Sequence, residues 1–178
     1  MDLPKNFKLT FSKEQIDKSI ISLSKQISLW ANQSTLDVVG IPVLRGGLFF
    51  YADLVRQVDC SIELAPVRSS SYVADVNNIQ SEEVKIDTYN KDVKNRNILL
   101  IDDICDSGRT FKLLKERLKS LGALDIKTAC LIKRELMNPI FNPDYVCFNY
   151  PGSEWFVGYG MADKERYSNL DSVYIIKD

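Results

Sequence analysis

Histidine is missing altogether from this chain of 178 residues. Its absence removes Ser-His-Asp and Cys-His nucleophilic triads, and with them every zinc site that relies on imidazole. A general base must then be a carboxylate, and a metal must be one that oxygen holds, Mg²⁺ first among them. Cysteine is sparse: Cys60, Cys105, Cys130 and Cys147 are widely spaced and form no CxxC pair. Three of them lie in or beside apolar runs, where a free thiol serves as a small core residue, so a reduced cytoplasmic setting is expected. No apolar run is long enough to span a bilayer and no cleavable signal is read at the N-terminus, so no membrane partner is expected. Charge favours neither sign. Lys and Arg number 23 against 24 Asp and Glu, a net of −1, which offers no argument for nucleic acid. Repeats, linkers and low-complexity segments are absent as well. What remains is 45% hydrophobic and 26% charged, the composition of one globular domain over residues 1–178 with a substantial core.

One stretch organises the rest: Ile98-Leu99-Leu100-Ile101-Asp102-Asp103-Ile104-Cys105-Asp106-Ser107-Gly108-Arg109-Thr110. Continuous apolarity at Ile98–Ile101 suits a parallel strand covered on both faces. Asp102 and Asp103 then fall at its carboxyl end, where open α/β sheets bind ligands. Asp106-Ser107-Gly108 reads as a turn into a helix that begins near Thr110, and turn amides before a helix N-terminus cradle anions. Carboxylates beside a phosphate cradle suggest a sugar phosphate, with the acids on ribose hydroxyls or on Mg²⁺ and the hydroxyls of Ser107 and Thr110 on phosphate. No Walker loop and no dinucleotide fingerprint occurs. The stretch resembles the phosphoribosyl-diphosphate (PRPP) signature of the type I phosphoribosyltransferases.

In chain order, Met1–Thr10 is a short lead with an edge strand in view, and Ser12 with Gln15 forms a capping box that opens a helix to about Asn32. Ile16, Ile20, Leu23, Ile27 and Trp30 give that helix one buried stripe. Asp37–Leu44 reads as the first central strand, running into Arg45-Gly46-Gly47 and a helix from about Leu48 to Gln57. Two glycines permit close backbone approach to a ligand, and Arg45 is a candidate for diphosphate through charge-assisted hydrogen bonds. Ser61–Val67 is a second strand. From Val73 to about Asn95 the pattern is polar, with Val84–Thr88 a strand of a mobile hairpin; so long an excursion inside a compact domain suggests a lid. The helix Thr110–Leu121 turns Phe111, Leu114, Leu118 and Leu121 inward, and Gly122 stops it. Strands follow at Ile126–Ile132, Asp144–Tyr150, Trp155–Tyr159 and Val173–Ile176.

A second group of motifs narrows the resemblance to the hypoxanthine-guanine phosphoribosyltransferases. Pro42-Val43-Leu44-Arg45-Gly46-Gly47 is similar to their Pro-Val-Leu-Lys-Gly-Gly diphosphate loop, where the peptide matching Leu44–Arg45 is commonly cis. Ser71-Tyr72 is similar to the start of their flexible loop, which closes over PRPP. Pro143-Asp144-Tyr145-Val146 through Trp155-Phe156-Val157-Gly158-Tyr159-Gly160 also resembles the purine enzymes. The resemblance implies a parallel central sheet flanked by helices, in the α/β class that the apolar runs indicate independently. It further implies a core of about 35–150, a small hood from about 1–12 and 151–178, a mobile loop at about 72–95, and a homodimer or homotetramer. The implied PRPP site comprises Arg45, Gly46, Ser71, Tyr72, Asp102, Asp103, Asp106, Ser107, Gly108, Arg109 and Thr110. Lys133 would bond the six-oxo group of a purine, Trp155 would stack on the base, and the backbone near Phe156 would read its edge. Catalysis would fall to Asp106, a proton relay near N7, with Asp102 and Asp103; Mg²⁺ would sit on Asp102, Asp103 and Asp163.

Two positions depart from the family pattern Gly-Tyr-Gly-Leu-Asp-Tyr. The expected acid, a metal and base contact, falls on Ala162, with Asp163 one residue late. Either Asp163 substitutes after a local backbone shift or the site is altered. Ser168 stands where the family has an arginine for diphosphate, with Arg166 and Lys164 the candidates to compensate. The leading expectation is an enzyme that moves the phosphoribosyl group of PRPP to N9 of hypoxanthine, guanine or xanthine. A PRPP- or purine-sensing regulator on the same fold, and transfer to another base, are the alternatives.

Overall fold

The computed structural model describes residues 3–33, 36–65, 67–74, 81–87 and 93–177, the strands at 67–74 and 81–87 by their backbone. Five parallel strand positions make the central layer. Its order is β5 (Ser81–Asp87), β4 (Val67–Ala74), β2 (Val38–Leu44), β6 (Asn97–Cys105), β7 (Asp125–Arg134) and β8 (Tyr145–Tyr150), with β3 (Ile62–Leu64) also on β2. All neighbours run parallel except β4 and β5, which pair antiparallel as a hairpin. A second sheet of three antiparallel strands joins the chain ends: β1 (Phe7–Phe11), β10 (Val173–Ile176) and β9 (Phe156–Val157). It forms the expected hood.

Alternation along β6 explains why the central sheet needs cover on both sides. Leu99 and Ile101 pack on one face with α1 (Lys13–Ala31) and α2 (Gly47–Val55), while Ile98 and Leu100 pack on the other with α3 (Arg109–Ser120). Each residue in this run is fully buried, worth about 1.5–3 kcal/mol per aliphatic side chain relative to exposure. The capping box at Ser12 forms: Ser12 Oγ accepts from the Gln15 amide at 3.3 Å, and Gln15 Oε1 accepts from the Ser12 amide at 2.9 Å. Ile16, Ile20, Leu23 and Ile27 are buried as the spacing indicates, whereas Trp30 is half-buried and donates its indole N–H to Asp125 at 2.8 Å.

Some expected boundaries move, each for a non-local reason. The strand expected at Ile98–Ile101 runs on to Cys105, because β7 pairs alongside it as far as Cys105 and Lys133. The strand expected at Ser61–Val67 is two strands that share one edge of β2, β3 beside Val38–Gly40 and β4 beside Val43 and Leu44. The strand expected at Trp155–Tyr159 shortens to Phe156–Val157, since β10 pairs with no more of it than that. Leu121 is 37% exposed instead of lying in the α3 stripe, because it caps the helix beyond the last buried turn at Leu118. Among the described residues no helix is long and apolar enough to cross a membrane.

Candidate active site

The carboxyl ends of β2, β6 and β7 meet the hood at an open cleft of about 720 Å³. From the sheet side its walls carry Arg45, Gly46, Asp103, Asp106 and Arg134; from the hood side come Trp155, Met161, Ala162, Glu165 and Ser168. The turn after β2 includes a cis peptide between Leu44 and Arg45, as the resemblance implies. Glycine at 46 is a matter of space, not of backbone angle. A Cβ there would lie 2.0 Å from Asp103 Oδ2, and one on Gly160 would lie 2.4 Å from the Gly46 carbonyl oxygen. The diphosphate-type loop, the acid pair and the hood are thus in direct contact. At the third loop Gly108 caps α3 with φ +81, a left-handed angle that glycine adopts without penalty. Behind it the first-turn amides of α3 have no carbonyl partner within the helix, an arrangement that suits an anion, and the Arg109 amide donates to Ser107 Oγ at 3.4 Å.

Asp102 and Asp103 are held by the backbone. Asp102 Oδ1 accepts from the Asp103 amide at 3.0 Å, and Asp103 Oδ1 accepts from the Ile104 amide at 2.8 Å. Burial, followed by the neighbouring Asp103 charge, pushes the Asp102 carboxyl well above the usual range; burial also raises Asp103. Both directions say that the folded pair disfavours two negative charges, and no cation among the described residues offsets them. That is the environment a bound divalent cation relieves, and oxygen-only donors suit Mg²⁺, which commonly takes one or two carboxylates and completes its shell with water and substrate phosphates. Among the described residues no group of three or more acidic or thiol side chains converges on a common point, so Asp163 does not join the pair.

Six of the expected residues line the cleft: Arg45, Gly46, Asp103, Asp106, Trp155 and Phe156. Arg45 stands exposed at the mouth and is paired across it with Glu165 at 3.0 Å. Ser107, Gly108, Arg109 and Thr110 form the turn and first residues of α3. Trp155 lines the cleft, 63% exposed, with its indole N–H donated to the Ala162 carbonyl at 3.1 Å, and Phe156 is buried next to it. The backbone of Ser71 and Tyr72 belongs to β4, and their side chains, like residues 75–80 and 88–92 of the expected loop, lie outside the described residues.

Two base-side expectations land elsewhere. Lys133 does not line the cleft; Arg134 does. A break in the strand alternation is the cause: Leu131 and Ile132 both pack on the α1 and α2 side, and Lys133 then sits level with Cys105 in β6, on the α3 side, so its successor faces the hood. Asp163 does not line it either, while Ala162 and Ser168 do. The Gly160 amide donates to the Ser168 carbonyl at 2.9 Å, and Asp163 and Arg166 exchange backbone hydrogen bonds at 3.0 and 2.8 Å, which fixes the turn between them. Arg134 and Glu165 are the site residues that sequence reasoning missed. Regular alternation through Ala129 and Leu131 points to Lys133, and nothing local marks the break after Leu131; Glu165, in a loop with φ +64, carries no periodic signal either.

Comparison with known proteins points one way. Residues 12–164 match the family model described as a phosphoribosyl transferase domain. The hypoxanthine-guanine phosphoribosyltransferase of Streptococcus pneumoniae (strain R6) is 32% identical over 173 residues, covering 96% of this chain and 93% of that protein. A crystal structure of a hypoxanthine-guanine phosphoribosyltransferase from Bacillus anthracis superposes with a TM-score of 0.80 at 26% identity, over 97% of this chain and 100% of that one. The hypoxanthine phosphoribosyl transferase of Trypanosoma cruzi, at 23% identity, shares the fold with a TM-score of 0.87 over 99% of this chain and 95% of that one.

Proposed function

This chain belongs to the phosphoribosyltransferase family, and from that premise we propose that it moves the 5-phosphoribosyl group of PRPP to N9 of a 6-oxopurine, releasing diphosphate. The observation that carries the reading is the contact of three loops at one cleft: Gly46 against Asp103, Gly160 against Gly46, and Arg134 against Asp106. It supports a single substrate that meets the turn proposed for phosphate, the acids proposed for ribose and the aromatic proposed for the base. In the reaction N9 forms a bond to the anomeric carbon as the bond to diphosphate breaks, through an oxocarbenium-like transition state. Asp102 and Asp103 hold the ribose hydroxyls, the turn from Asp106 to Thr110 binds the 5-phosphate, and Arg45 draws the diphosphate. Trp155 gives the purine a flat face to stack on, and Asp106 accepts the proton that the base gives up at N7. Asp102 and Asp103 are also the residues that would hold Mg²⁺, which when bound supplies positive charge to the leaving diphosphate.

The cellular setting consistent with four free thiols is the cytoplasm, and a homodimer or homotetramer is the assembly to look for. A second reading, a PRPP- or nucleotide-sensing protein, draws on Ala162 and Ser168, which bring neither acid nor arginine to the cleft. Incubation with PRPP, Mg²⁺ and a panel of hypoxanthine, guanine, xanthine, adenine and uracil separates the readings. Nucleotide formed from the 6-oxopurines supports transfer. A melting temperature raised by PRPP without conversion of any base supports sensing.

A further inference from the structure

Arg134 ends β7 with its side chain 13% exposed, and every edge of its guanidinium is engaged. Nε donates to Asp106 Oδ1 at 2.5 Å, one terminal nitrogen donates to the Gly152 carbonyl at 2.5 Å, and the other to the Glu154 carbonyl at 2.7 Å. Its face lies 4.7 Å from the centre of the Phe156 ring, and the Tyr150 ring is 5.9 Å away. Asp106 by contrast is 66% exposed, and among the described residues Arg134 is the partner that orients its carboxylate. One planar fork of donors thus joins the turn after β6 to the segment that leads into Trp155. A lysine ammonium, a compact point charge, could not reproduce this fork of three spread donors.

We propose that Arg134 is the positioning residue of the purine half of the cleft: it fixes the Asp106 carboxylate and the Gly152–Trp155 segment relative to each other, and so aligns the proton-accepting group with the stacking platform. The inference rests on the roles given above to Asp106 and Trp155. Its physical content is that a base held against Trp155 presents N7 to Asp106 without a search, and misplacement of about 1 Å at such a pair costs up to about 10²-fold in rate. The two arms are separable. The arm to Asp106 governs kcat, and the arms to Gly152 and Glu154 govern how well the base is held, which appears in its KM.

The test compares wild type, Arg134→Lys, Arg134→Ala, Asp106→Asn and the double variant R134A/D106N in steady-state transfer from PRPP to hypoxanthine. Expected for Arg134→Ala are a fall in kcat of about 10²-fold, a rise in base KM of about tenfold and a PRPP KM within about twofold of wild type. In the Asp106→Asn background, removing Arg134 should lower kcat by no more than about twofold while base KM still rises, because the kcat effect passes through Asp106. Arg134→Lys keeps the stem and one charge; it should recover part of kcat and little of base KM. If Arg134→Ala does not fold, the lysine variant carries the test in a Trp30→Phe background, where collisional quenching of Trp155 fluorescence should rise. Base KM and kcat both within twofold of wild type in Arg134→Ala overturn the proposal. So do kcat losses that multiply in the double variant, the signature of a merely structural residue, or unchanged Trp155 quenching in Arg134→Lys. A wild-type protein that converts no base overturns the proposal and the functional reading together, whereas an active wild type indifferent to Arg134 overturns the proposal alone.

Discussion

The two halves that the proposed reaction gives the cleft are built on different principles. The half proposed for phosphate consists of loops at the ends of paired parallel strands, Arg45–Gly46 after β2 and Asp106–Gly108 after β6, anchored on both sides by buried ladder. The purine half hangs from the hood, where Tyr159, Lys164, Glu165 and Tyr167 all take positive φ and the ladder shrinks to Phe156–Val157. Set beside the family patterns that the sequence resembles, the first half differs by Arg45 in place of lysine, another cation, and the second by Ala162 and Ser168 in place of an acid and an arginine. A loop packed against the sheet, where a single Cβ at Gly46 collides with Asp103, has little room to vary. A hood loop tied mainly by its own turns can exchange side chains without disturbing the core.

The sharpest way to break this division is at Asp106, which stands where the halves meet. Asp106→Asn should lower kcat by about 10²–10⁴-fold, the usual contribution of a general base, with PRPP KM nearly unchanged. A PRPP KM that rises in step with the loss of kcat would place Asp106 wholly in the phosphate half. Next in size, Gly46→Ala should raise PRPP KM by about tenfold or more, since the added methyl must displace either the loop or the Asp103 carboxylate. Its counterpart in the other half, Ala162→Asp, should leave PRPP KM alone and change base KM by about threefold. If Ala162→Asp moved PRPP KM as strongly as Gly46→Ala, the two halves would not be independent.

How much of this was legible depended on what each feature is made of. The sheet's core strands, the capping box at Ser12 and the two phosphate loops follow from runs and spacings that local sequence carries. The shared edge of β2 does not, because which strand pairs where is decided by residues far away in the chain. The same holds at the end of β7: the resemblance points to Lys133, but a break in the alternation at Leu131 and Ile132 turns Arg134 toward the hood. Glu165 was invisible because its partner Arg45 is 120 positions distant and its loop has no periodicity. Ala162 was flagged in the sequence, and the hydrogen bond from the Gly160 amide to the Ser168 carbonyl explains why Asp163 does not slide into its place.

Smaller effects refine the comparison. Glu165 holds Arg45 from the hood side, 75% and 84% exposed respectively, so the pair is screened and worth about 0–1 kcal/mol. Removing that competitor in Glu165→Gln should lower PRPP KM by about threefold at low salt, an effect that fades at high salt. Least in size is the thiol response. Burial pushes Cys105, beside the phosphate loops, and Cys147, in β8, from 9.0 up to about 11. Such groups are neutral in the folded state and ionise more readily once unfolded, so stability should hold below about pH 9 and decline as pH rises through about 11. Urea melts between these limits, with thiol labelling at each step, report it; native-state labelling of Cys105 at pH 8 as fast as in the unfolded chain would contradict the burial.

The most direct measurement of the central claim is ³¹P NMR of PRPP with Mg²⁺ and catalytic enzyme as hypoxanthine is added. The expected result is loss of the PRPP diphosphate resonances, matched one for one by inorganic diphosphate and a nucleoside 5-monophosphate. An unchanged PRPP spectrum, or diphosphate released with ribose 5-phosphate in place of the nucleotide, would contradict the account.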